Sequence, residues 1–174
     1  FVFLGAFFYA IVYTVWLKRR TWLNIVFGGL AGSWAVLAGA TAADPQLGAV
    51  PLALALVLFL WTPPHFWSLA IAFRDDYAAA GVPMLPVVVG DQRAANTIFY
   101  STLALVAASL LPLALGLGPI YLAGAAVGGF LFIQKAWRLT REPNRKSAMV
   151  CFHASLMQLT LVLLAAIADA QLHF

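Results

Sequence analysis

The chain has 174 residues, 64% hydrophobic and 9% charged, with a net charge of +4 and a mean hydropathy of +0.94. A water-soluble domain carries about 25% charged residues, so this chain cannot build a hydrated surface and its solvent is lipid. The basic excess does not imply a nucleic-acid partner, because all ten Lys and Arg fall in three clusters between apolar runs.

A membrane-spanning helix needs roughly 20 apolar residues, and six segments qualify, at about 1–17, 25–42, 49–73, 97–116, 119–135 and 147–168. The first starts at Phe1 with no start methionine, charged leader or cleavage site, which reads as the interior of a longer polypeptide rather than a signal peptide. It ends in Lys18, Arg19 and Arg20. The second carries Gly28, Gly29 and Gly32, a small-residue stripe where another helix can approach closely. The third is an apolar helix expected to be interrupted by Pro63, Pro64 and His65. It runs out into the adjacent acids Asp75 and Asp76 and a long Pro/Gly-punctuated join, 74–96. Gly124, Gly128 and Gly129 give the fifth segment a second packing stripe. The sixth holds Cys151, the single cysteine, which excludes an intrachain disulfide and a thiolate metal centre.

Six spans place alternate joins on the same side. The first, third and fifth joins hold every Lys and Arg; the second and fourth hold none. The positive-inside rule makes the basic face cytoplasmic. The expected architecture is therefore an all-α, polytopic transmembrane helix bundle forming one domain over 1–174.

Chemistry is expected at the basic face. Asp75 and Asp76 are two of only six acidic residues, and Tyr77 follows them. A carboxylate at a helix C-terminus is disfavoured by the helix dipole, so a capping role does not account for the pair. Two carboxylates at a membrane boundary suit Mg²⁺, which takes one or two carboxylates and completes its shell with substrate phosphate and water. Lys18 and Arg19 share that face, and Arg grips phosphate oxygens bidentately; Asn24 adds a polar contact. His65 lies about 16 Å along the helix from Asp76 at 1.5 Å per residue, within the bilayer. The carbonyls of Phe59 and Leu60 lose their donors to Pro63 and Pro64, leaving Thr62, His65 or a cavity water to serve them. A helix lined by Trp61, His65, Phe66 and Trp67 could instead wall a pocket for a large flat or polyprenyl group. His153, Gln158 and Asp169 are read as packing or interface residues, Asp169 at headgroup level, and Glu142 as part of a solvated turn.

Two segments, YTVWLKRRTWLNIVFGGLAGS (13–33) and WTPPHFWSLAIAFRDDYAAAGVPMLPVV (61–88), resemble the haem O synthase branch of the UbiA-type intramembrane prenyltransferases, and the resemblance covers essentially the whole chain. It implies that these six spans correspond to helices four to nine of a nine-helix bundle. It also implies transfer of the farnesyl group of farnesyl diphosphate to a vinyl carbon of haem b, with Mg²⁺ as cofactor and haem b as substrate. By resemblance, Asp76 and Tyr77 match the second acidic motif with Asp75 beside it, Lys18 and Arg19 an LKR element, and Pro64 with His65 a helix motif. Implied partners are the lipid bilayer, a downstream haem A synthase and cytochrome oxidase assembly proteins. The implied location is the bacterial cytoplasmic membrane or the mitochondrial inner membrane. The family's first acidic motif, of the form NDxxDxxxD, would precede Phe1, so the chain is expected to hold half of the metal site and to be inactive alone. GSWAVLAGATA (32–42) also stands where the family carries a Pro-Pro-containing run. Alternatives in view are a relative acting on a quinone precursor or chlorophyllide, and a non-catalytic transporter or assembly subunit.

Overall fold

The computed structural model describes residues 1–172, and every regular element among them is helical. Helix α1 runs over Val2–Leu17 and is wound as a π-helix from Phe8 onward. It is followed by α2 (Asn24–Ala43), α3 (Ala49–Ala72), the short α4 (Arg74–Ala79) and α5 (Leu85–Val89), then α6 (Asp91–Ala108) and α7 (Leu111–Ala114). The last two are α8 (Pro119–Arg141) and α9 (Arg145–Leu172). Five helices are long and apolar enough to cross a membrane, and α1 is a shorter apolar helix. All six expected spans are therefore present as helices.

The bundle is organised around α3, on which α2, α6 and α9 all pack, while α8 closes against α6 and α9. Lipid tails are as apolar as the side chains, so helix association in a bilayer depends on close packing and internal hydrogen bonds rather than on a hydrophobic drive. The glycine stripes supply that approach. A methyl group built on Gly29 would lie 3.0 Å from Thr62 of α3, and one on Gly28 would lie 2.8 Å from the Tyr13 ring of α1. On α8, Gly129 faces Val106 at 2.8 Å, Gly128 faces the Gln158 Cα at 3.0 Å, and a methyl on Gly124 would enter Ala165. Each glycine thus marks the crossing point of a particular helix pair.

Two local expectations change. α3 is not interrupted at Pro63 and Pro64 but continues through them to Ala72. The Thr62 hydroxyl bonds back to the Leu58 carbonyl at 2.9 Å, in the turn where the prolines withdraw donors. The long join is also mostly ordered helix, because its apolar stretch folds into the bundle: Val82, Met84, Leu85 and Pro86 are buried. Gly90, at φ +83°, turns the chain directly into α6, which begins six positions earlier than hydropathy suggests because Asp91 and Arg93 extend it past the lipid.

All three basic joins lie at one end. Gln92 donates to the Thr140 carbonyl at 2.9 Å, tying the third join to the fifth. Trp22 meets Trp67 at a ring separation of 6.0 Å, tying the first join to the end of α3.

Candidate active site at the basic face

Helix α3 ends at Phe73, where φ −123° and ψ 33° break the regular winding, and α4 starts immediately. Asp75 and Asp76 are therefore in the first turn of a new helix, not at the C-terminus of α3. This corrects the dipole argument: carboxylates are favoured in a first helical turn, so their position alone does not demand a ligand. Their surroundings carry the argument instead.

Both aspartates are exposed, and neither makes an ion pair among the described residues. They line an open cleft of about 460 Å³ together with Arg74, Asp91 and Arg145. Three separate stretches build it, which are the α3–α4 break, the start of α6 and the start of α9. Arg74 is drawn to Asp91 at 3.4 Å, a solvent-exposed pair of the kind that contributes at most about 1 kcal/mol. The other oxygen of Asp91, Oδ1, is buried without a hydrogen-bond partner. Arg145 has its guanidinium over the Phe73 ring at 5.1 Å, which holds it beside the acid pair. From sequence, Asp91 and Arg93 are further charges supplied by the same join, but the meeting of Asp91 with Arg74 and Arg145 is not legible there. Arg145 lies seventy positions from Asp75 in a run that reads as a topology signal.

Tyr77 leaves this cleft and lies within electrostatic reach of Tyr13 on α1. Burial pushes the Tyr77 phenol above its usual range, so at neutral pH it is a protonated hydrogen-bond donor. Tyr13 belongs to a neighbouring groove of about 250 Å³, lined also by Tyr9, Lys18, Gly28, Thr62 and Phe66. The Lys18 ammonium lies 5.9 Å from the Tyr13 ring centre, a cation–π distance. The expected neighbours Lys18 and Asp76 thus line two different depressions, with Tyr77, next to Asp76 in the chain, within electrostatic reach of Tyr13 in the other. Arg19 is exposed beyond them. Asn24 is fully buried; its amide donates to the Lys18 carbonyl at 3.0 Å and so fixes the end of α1, while its Oδ1 has no partner.

The deeper residues do not wall a single cavity. His65 is stacked between Trp61 and Phe152, at ring separations of 4.0 Å and 4.4 Å. Its Nδ1 lies 2.7 Å from the Ser155 hydroxyl, which itself donates to the Phe152 carbonyl at 2.6 Å. The Ser155 hydroxyl thus bridges the His65 ring and the backbone of its own helix. Trp61 Nε1 bonds the Ser155 carbonyl at 2.8 Å. Trp61 and His65 therefore lock α3 to α9, and Trp67 packs toward Trp22. Phe66, edge-on to the His65 ring at 4.9 Å, is the member of this aromatic run that reaches the groove.

Asp169 is the residue whose role sequence reasoning missed most clearly. It is buried at 1% exposure rather than set among headgroups. It accepts backbone N–H groups from Gly118, from Ile120 at 3.1 Å and from Tyr121 at 3.3 Å. It therefore caps the first turn of α8 from the far end of α9, satisfying donors that no local side chain serves. A lone acid inside an apolar run, opposite a helix that starts without Ser, Thr, Asn or Asp, was the available signal.

A protoheme IX farnesyltransferase of Paramagnetospirillum magneticum is 61% identical over 168 residues, covering 97% of this chain and 58% of that protein. A second from the same organism is 55% identical, covering 97% of this chain and 60% of its own length. One from Cenarchaeum symbiosum is 44% identical, covering 100% and 59%. The chain thus spans less than two thirds of the relatives it matches, and no solved structure matches it. Residues 1–162 match the UbiA prenyltransferase family, and the chain belongs to that family.

Proposed function

We propose that this chain forms part of an intramembrane enzyme that transfers the farnesyl group of farnesyl diphosphate to a vinyl carbon of haem b, giving haem O and diphosphate. The single observation that carries the reading is the meeting of Asp75, Asp76, Arg74 and Arg145 in one cleft, next to an aromatic groove with Lys18 in its wall. A carboxylate-and-arginine cleft suits a metal-bound diphosphate, and an aromatic groove suits an isoprenoid. Relatives named protoheme IX farnesyltransferase support the choice of acceptor.

The residues fit Mg²⁺ in part. No three His, Cys, Asp or Glu side chains converge on one point among the described residues. Asp75 and Asp76 would hold the ion, with phosphate oxygens and water in its remaining positions. The buried, unpartnered Asp91 Oδ1 at the cleft edge marks a polar demand that the protein itself leaves unmet. When bound, Mg²⁺ supplies positive charge against the diphosphate oxygens.

The chain's own groups do the rest. Arg74 and Arg145 bind phosphate oxygens and stabilise charge on the departing diphosphate. The farnesyl C1–O bond breaks, a C–C bond forms to the terminal vinyl carbon, and water adds at the adjacent carbon, losing a proton to the medium. Tyr9, Tyr13 and Phe66 offer ring faces to the allylic cation. Lys18, Arg19 and Tyr77 complete the polar rim, Asn24 positions Lys18, and the packed Trp61–His65 layer with Trp67 keeps water from the deeper bundle. The membrane is the bacterial cytoplasmic or mitochondrial inner membrane with the basic face inward, and haem O would pass to a haem A synthase or to oxidase assembly. Haem extracted from cells that co-express the full-length polypeptide with a farnesyl diphosphate supply should contain haem O; a prenylated aromatic acid in its place would sink the assignment.

A further inference from the structure

The turn between α8 and α9 forms a second polar pocket. It measures about 130 Å³ and is lined by Lys135, Arg138, Glu142, Asn144, Lys146 and Val150 among others. That is room for about four water molecules, the scale of a phosphate group. Its charge is unbalanced. Glu142 is committed to Arg138 at 3.8 Å on the same helix face. Lys135 meets only the amide oxygen of Gln134, at 3.1 Å, and neither lysine has an ion-pair partner among the described residues. Two cations from different helices thus face one small pocket whose single carboxylate, Glu142, is paired with Arg138.

The pocket also has a direction. It follows the α8–α9 groove from the turn at Asn144 down to Lys135 and Val150, a descent of about 9 Å for six residues at 1.5 Å each. Val150 is exposed at 40%, and Met157 and Leu164, each seven residues further along α9, are exposed at 43% and 59%. Seven residues is nearly two helical turns, so the three form one apolar stripe running from the pocket into the membrane. A soluble anion has no use for that stripe, whereas a lipid matches both parts.

We infer that this pocket is a binding site for an anionic phospholipid, with its phosphodiester between Lys135 and Lys146 and an acyl chain along Val150, Met157 and Leu164. Basic pockets between transmembrane helices at the membrane surface hold such headgroups. The site shares no lining residue with the aspartate cleft, although Lys146 follows Arg145 of that cleft in the chain, and it does not depend on the proposed chemistry.

The test uses the full-length polypeptide in phosphatidylcholine nanodiscs with and without phosphatidylglycerol, counting retained lipid by native mass spectrometry after extraction into detergent. Wild type should retain phosphatidylglycerol, and the Lys135→Ala/Lys146→Ala variant should lose affinity by about fivefold for each lysine removed. Lys135→Arg/Lys146→Arg should retain it, as should Arg20→Ala, which removes an exposed cation at another join. Retention by the double alanine variant, or an equal loss in Arg20→Ala, would overturn the site. Displacement of the lipid by inorganic phosphate would make it a free-phosphate site and overturn the lipid assignment. A lower unfolding temperature of the double variant in pure phosphatidylcholine would make the lysines structural and likewise overturn it.

Discussion

Aspartates stand at both ends of this bundle in opposite circumstances. Asp75 and Asp76 are exposed in an open cleft at the basic end, with two arginines near them and no ion pair of their own among the described residues. Asp169, at the other end, is buried and accepts three backbone N–H groups at the start of α8. The same carboxylate is therefore available to a ligand in one region and committed to the fold in the other. What differs is hydration. A carboxylate removed from water must be satisfied by the protein, and only one left at the surface keeps oxygens for a substrate or an ion.

That contrast can be broken from either side. The largest effect is expected for Asp76→Asn in the full-length polypeptide, which should lower turnover by at least about a hundredfold, the scale of removing one transition-state electrostatic partner. Its unfolding temperature in detergent should stay near wild type, since surface changes stay within about 0.5 kcal/mol. A stability loss with turnover intact would turn the acid pair into a structural feature. Asp169→Ala should do the reverse. Three donors would lose a charged acceptor, at about 3 kcal/mol in all, read as a lower unfolding temperature with turnover per folded molecule preserved.

Between the two ends the bundle should respond as packing alone. Gly128→Val would press on the Gln158 backbone, which a methyl group already approaches at 3.0 Å, and should cost about 2 kcal/mol by overpacking. Ser155→Ala should have the smallest effect, about 1 kcal/mol for the lost His65 hydrogen bond, again by thermal unfolding. If Ser155→Ala instead changes turnover as strongly as Asp76→Asn, His65 belongs to the chemistry and the division between functional end and structural interior fails.

Hydropathy and charge by themselves determined the number of spans, their order and the common side of the three basic joins, because lipid imposes length and polarity on each helix separately. They also determined which glycines are contact points, since a run of small residues in a spanning helix has little other use. The acid pair stood out for the same local reason, as charge where charge is scarce. Tertiary structure alone decided the rest. That Arg145 lines one cleft with Asp75 and Asp76, that Tyr77 turns to Tyr13, that Asn24 holds Lys18 and that His65 is pinned by Ser155 all depend on which faces of distant helices meet. It also decided that Pro63 and Pro64 sit inside an unbroken α3, and that Asp169 caps α8. Each is a pairing across separate segments, and a one-dimensional pattern of polarity carries no record of which partner a buried polar group will find.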